Sequence, residues 1–305
     1  MPPEMEKKQF SPAQAAWASC GWALAIVIVC LLDALLAGIS SAPAVLLLRS
    51  GCEEAVFTLL PLFIVAKGCR VDMLAPLRMG SGAKPWRDPR ALLLLLLAAL
   101  LGWCIYPAMD GVQSCWTALL TFFHIPTAMA QVPELPDAGL KILAFFSLCL
   151  CPAFCEELCV RGHLLPALGR RLSVPAALGI SALYFALMHG SLSAFLYTFL
   201  LGWIMGWIAL RTRGLYPAMA FHLAFNLRGV AVSQAAYQGH AFTTELAALL
   251  FSSLLTAVAL FALRMLTARP AAEEEPLREE TPREWAGPLI LAMIILGTLV
   301  LLSVF

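Results

Sequence analysis

Charge is scarce in this chain. Only 13% of its 305 residues are Asp, Glu, Lys or Arg, where a soluble domain carries about 25%. With 61% hydrophobic residues and a mean hydropathy of +0.84, the composition excludes an ordinary soluble protein and indicates a polytopic membrane protein. The net charge is only +1, and there is neither a basic arm nor aromatic–basic interleaving. Nucleic acid is therefore excluded as a partner. No C-x-x-C pair occurs among the ten cysteines. Cys20, Cys30, Cys104, Cys149, Cys151, Cys155 and Cys159 lie in apolar runs and read as small packing residues. Cys151, Cys155 and Cys159 also form an i, i+4, i+8 stripe, which leaves a thiolate metal site open as a lesser reading. There is no G-x-S-x-G elbow and no H-E-x-x-H. No internal repeat is apparent, which argues against a transporter built from inverted repeats. The first apolar run is too long for a signal peptide and lacks a clear cleavage site, so it reads as a retained helix.

What is present is a series of apolar runs near the 20 residues a membrane helix needs. Nine spans are predicted: 15–39, 45–67, 91–109, 140–164, 174–189, 192–210, 215–236, 246–266 and 288–305. The second carries Arg49, Glu53 and Glu54, and is the least regular. Residues 110–137 read as a long connection whose apolar middle lies on or re-enters the membrane surface. The fold class is thus an all-α polytopic helix bundle of eight or nine spans in a single membrane domain, 1–305. A charged cytoplasmic linker, 268–286, precedes the last span. The positive-inside rule supports this count. Lys7, Lys8, the basic loop 68–90, Arg170, Arg171, Arg211, Arg213, Arg264, Arg269, Arg278 and Arg283 all fall on one side. The expected location is the cell membrane, with a cytoplasmic N-terminus.

Three spans carry polar residues at odds with a lipid-facing role. The fourth has Glu156, Glu157 and Arg161 after an uncharged approach from Ile142 to Phe154. A charge at mid-membrane costs roughly 2.5–3.5 kcal/mol on insertion scales, which makes such residues functional candidates. The fifth span ends in Phe185-Ala-Leu-Met-His189, and the seventh contains His222-Leu-Ala-Phe-Asn226. Glu157 and Arg161 are i, i+4 and share a face, as an ion pair would. Glu156 points about 100° away, free to face a cavity. His222 and Asn226 also share one face. These groups suit hydrolysis: Glu as base on a water, His to position it, and His with an amide to stabilise an oxyanion. Glu plus two His equally suits a zinc ion with one open position.

Glu156-Glu157-x-x-x-Arg161, Phe185-x-x-x-His189 and His222-x-x-x-Asn226, in that order on separate helices, resemble the CPBP family. This family comprises type II CAAX prenyl endopeptidases and bacteriocin-processing and self-immunity intramembrane proteases. The resemblance covers residues 141–228, the expected catalytic core. It implies an intramembrane endopeptidase acting on a membrane-associated protein or peptide, of the prenylated CAAX type or the leader/bacteriocin type. By the same resemblance Glu156 and His189 would activate water, His222 and Asn226 would form the oxyanion hole, and Glu157 and Arg161 would support the site. No cofactor and no metal are expected. The alternatives are a zinc protease using Glu156, His189 and His222, and a catalytically silent membrane adaptor. Membrane lipid and the substrate are the expected partners, with a recessed cavity open toward the cytoplasmic side. The sequence sets no oligomeric state.

Other polar residues have plainer readings. Arg49 and Glu53 are i, i+4 and neutralise each other. Asp33 is an interhelical hydrogen-bonding group or lies near the outer interface, His124 is interfacial, and His163 is solvated at the inner face. Gly202 and Gly206 mark close helix packing. By helical rise, His189 would lie about 22 Å from the inner end of its helix but Glu156 only about 12 Å from Leu164. Their levels match only if the turn between the helices is recessed or one helix tilts.

Overall fold

The computed structural model describes residues 9–36, 42–78, 88–127, 131–237, 246–267 and 281–304. All regular structure among them is helical. The main helices are α1 (Pro12–Leu36), α2 (Pro43–Cys69), α3 (Pro89–Phe122), α4 (Ala138–Gly169), α5 (Val174–Met188), α6 (Phe195–Thr212), α7 (Leu215–Tyr237), α8 (Leu246–Leu266) and α9 (Pro282–Leu302). Five are long and apolar enough to cross a membrane: α1, α3, α4, α6 and α9; α5 and residues 250–266 of α8 are shorter apolar helices. The protein is therefore a polytopic helical bundle.

Local chemistry sets the helix starts. Proline opens α2, α3 and α9, where its missing N–H and fixed φ cost nothing. The carboxylate of Asp88 accepts from the Arg90 N–H at 2.9 Å, and that of Asp137 from the Leu140 N–H at 2.9 Å. Each satisfies an otherwise orphaned donor. Glu284 accepts from the Thr281 N–H at 2.6 Å, so 282–286, expected in the charged linker, are the first turn of α9. The rest of that linker, 268–280, lies outside the described residues.

Two sequence expectations change here. Residues 110–122 do not form a surface connection; they continue α3 through Pro107 to Phe122. One missing N–H at Pro107 breaks one helical bond without ending the helix, since buried Met109 and Leu120 keep packing on the bundle. The fourth span also runs on, five residues past Leu164 to Gly169. That extension resolves the level problem: from Glu156 to Gly169 is about 20 Å, close to the roughly 22 Å from Val174 to His189.

α4 is not uniform. Its segments Phe145–Leu150 and Val160–Leu164 are π-helical, and they bracket the α-helical Cys151–Cys159. Such wide turns are frequent at functional sites. α4 lies between α2 and α7; α3 lies along α7, α6 joins α5 to α7, α8 covers α3 and α9 covers α1. Gly202 of α6 meets Ala182 and Phe185 of α5, and Gly206 meets Leu178, as the G-x-x-x-G spacing predicts. The polar groups of α4 thus occupy the interior of the bundle.

Candidate active site

α4 supplies three charged side chains that lipid never touches. Glu157 and Arg161 are fully buried and Glu156 nearly so. Glu157 Oε1 accepts from Arg161 Nη1 at 2.7 Å, the expected one-turn pair. Two further contacts hold the guanidinium, while its Nε is buried without a hydrogen-bond partner. Its Nη2 donates to the Gly202 carbonyl at 3.0 Å, and its carbon lies 4.2 Å from the centre of the Phe185 ring. A buried charge needs such compensation, because desolvation costs several kcal/mol per ion.

α7 delivers His222 against this pair. His222 Nδ1 is 3.1 Å from Glu157 Oε1. A carboxylate only accepts, so Nδ1 carries the proton and Nε2 is turned toward Glu156, whose Oε2 is 4.0 Å away. That separation is beyond direct hydrogen-bond range. The Glu157–His222 contact joins two helices 65 residues apart in sequence, and no single-helix spacing could have indicated it.

His189 caps the end of α5. Its Nδ1 is 2.8 Å from the Phe185 carbonyl. A carbonyl likewise only accepts, so this nitrogen is the donor and Nε2 keeps its lone pair. Phe185 stands edge-on to both histidines, with ring centres 4.8 Å from His189 and 6.0 Å from His222. The Phe-x-x-x-His spacing held this signal, since i and i+4 share a face. Asn226, one turn beyond His222, donates from Nδ2 to the Leu148 carbonyl in the first π segment at 3.2 Å. One amide N–H remains.

His189, His222 and Asn226 line one cavity of ≈ 50 Å³, together with Phe185 and, from α6, Tyr197 and Thr198. A single water needs roughly 10–15 Å³, so several fit. Of the four residues predicted to converge, three line this space. Glu156 stands behind His222, and its Oε2 is buried without a hydrogen-bond partner. Tyr197 and Thr198 were not singled out from the sequence; neither belongs to a motif.

The secondary expectations divide. Arg49 pairs with Glu53 at 2.8 Å and also with Asp33 of α1, so Asp33 is interhelical as predicted. His163 is not solvated: it is buried, 2.8 Å from the Met73 carbonyl and 4.5 Å from the Phe10 ring. The extension of α4 past Leu164 places it inside the packed inner end. A zinc ion on Glu156, His189 and His222 would need three donor atoms at about 2.0–2.2 Å from one point. Among the described residues no group of three or more His, Cys, Asp or Glu side chains is arranged to hold a metal, the cysteine stripe included. The residues as placed do not make either ligand set.

Residues 138–228 match the Rce1-like family, described as type II CAAX prenyl endopeptidase Rce1-like. The match covers less than a third of the chain and nearly coincides with the 141–228 core expected from the three motifs. No curated protein and no solved structure matches the chain. The matched segment contains α4 through most of α7 and every motif residue above, and it supports the resemblance of this part of the chain to the CPBP family of intramembrane proteases.

Proposed function

We propose that this protein is a membrane-embedded endopeptidase that hydrolyses a peptide bond by water activated on Glu156, with no metal. The observation that carries the proposal is the meeting of three separate polar insertions: His222 lies 4.0 Å from Glu156 and shares a cavity with His189 and Asn226. In this scheme Glu156 takes a proton from water while the lone pair on His189 Nε2 holds that water in line. The oxygen attacks the carbonyl carbon and the carbonyl oxygen becomes an oxyanion. The free N–H of Asn226 donates to it. His222 can donate from Nε2 only as the imidazolium, because its Nδ1–H is committed to Glu157; Glu157 is then its counter-charge. Collapse breaks the C–N bond and returns the proton from Glu156 to the leaving amine.

The fold and the family match support, as the proposed substrate class, a protein or peptide held at the membrane, with a prenylated CAAX end as the first choice. The buried site serves a chain delivered within the bilayer. Comparison of membranes carrying wild-type protein and Glu156→Gln by quantitative mass spectrometry of peptide termini tests this. An uncut membrane-associated precursor accumulates in the variant, with cleavage slowed about 10²–10⁴-fold, the usual contribution of a general base. His163→Ala, outside the cavity, processes normally, and chelators leave the wild type active. Normal processing by Glu156→Gln would rule the scheme out.

A further inference from the structure

α6 carries none of the three motifs, yet it forms one wall of the cavity. Its Gly202 fixes it against both neighbours that matter. The Gly202 carbonyl accepts from Arg161 Nη2 of α4 at 3.0 Å. A Cβ on Gly202 would lie 3.1 Å from the Ala182 Cα and 3.2 Å from the Phe185 ring of α5. That ring is the one standing edge-on to His189 and His222. One helical turn before Gly202 the chain reaches Thr198 and Tyr197. Tyr197, Leu201 and Met205 follow at i, i+4 and i+8, so they share a face of α6. All three line the cavity, opposite His189 of α5 and His222 and Asn226 of α7, and Thr198 lines it beside them.

Two hydroxyl-bearing residues of α6 thus border this space, and only one has a proton to give. The Thr198 hydroxyl is turned back on its own helix, 2.8 Å from the Ala194 carbonyl and 3.0 Å from the Phe195 carbonyl. Its single O–H is spent there. Tyr197 is half-buried, and among the described residues its hydroxyl has no hydrogen-bond partner. Phenylalanine would fill the same wall without leaving a polar group unpaired, which is costly away from water. The hydroxyl therefore has a use that packing does not supply. The hydrolytic scheme has a place for it. Asn226 keeps one amide N–H for the oxyanion, and His222 can donate from Nε2 only after taking up a proton, because its Nδ1–H is committed to Glu157. A phenol is a neutral donor and needs no prior protonation. Tyrosine is among the side chains that serve in oxyanion holes.

We propose that Tyr197 is a further catalytic residue: its phenol O–H donates, beside the Asn226 N–H, to the oxyanion formed on the scissile carbonyl, so that the oxyanion hole is built from α6 as well as α7. The phenol lends a hydrogen bond and keeps its proton throughout; the proton taken from water still travels through Glu156 to the leaving amine. The proposal rests on the hydrolytic reading of the site. The test compares wild type and Tyr197→Phe, each purified and reconstituted in lipid, on the precursor that accumulates in Glu156→Gln membranes. Tyr197→Phe removes one oxygen that bonds nothing within the protein, so its unfolding midpoint in detergent stays at the wild-type value. A donor used only in the transition state acts on kcat and not on KM. We expect kcat to fall about 10²–10³-fold, the usual loss for one oxyanion-hole donor, with KM unchanged. A wild-type kcat, a loss confined to KM, or a fall in kcat that comes with a lowered unfolding midpoint overturns the proposal. The two readings fail separately. Normal processing by Glu156→Gln removes the protease scheme and this proposal with it, whereas full-speed cutting by Tyr197→Phe where Glu156→Gln is inactive removes only the role of Tyr197.

Discussion

Arg161 is held by three groups at once. It is paired at 2.7 Å, hydrogen-bonded to a backbone carbonyl, and stacked on Phe185. Its loss strands the Glu157 charge in a dry interior. Arg161→Ala should therefore cost about 3–5 kcal/mol, the range for breaking a buried pair from one side. Thermal or denaturant unfolding in detergent measures it. Lysine should not rescue, since a single ammonium cannot reproduce the planar fork and the stacking together. The existence of the cluster was legible because three charges in six residues stand out against an apolar helix. That Glu157 also holds His222 was not legible, because the contact depends on how two distant helices approach.

At the scale of helices, the site depends on one close approach. A Cβ on Gly102 of α3 would lie 2.1 Å from the Phe221 carbonyl oxygen of α7, next to His222. Neither atom belongs to a flexible side-chain end, so Gly102→Ala must push α3 and α7 apart. A shift near 1 Å at a catalytic group can cost about 10²-fold in rate. We expect cleavage to fall by at least that much in the membrane processing assay, along with a lower unfolding midpoint. Each of the nine predicted spans begins or ends within a few residues of an observed helix, because long apolar runs bounded by charge are a strong signal. The miss at 110–122 came from reading the segment from Asp110 to Asp137 as one long connection, when packing against the bundle carries the helix on through it. The π segments had no signature: their residues, Phe145–Leu150 and Val160–Leu164, would suit an ordinary helix equally well, and only tertiary packing selects the wider turn.

The whole molecule is expected to present its basic loops on one side. A topology reporter inserted after Arg171 should report the cytoplasmic side, and one after His124, beyond α3, the opposite side. The same side for both would rule out the arrangement of spans. The lengths of α5 and α6 have a separate consequence. Their 15 and 18 residues reach only about 22 and 27 Å, against a hydrocarbon core of about 30 Å. Lipid beside these two helices meets a hydrophobic mismatch, and the bilayer there is drawn thin. In the proposed scheme, a substrate arriving through lipid would meet a shortened crossing beside α5 and α6, on the side where the cavity lies.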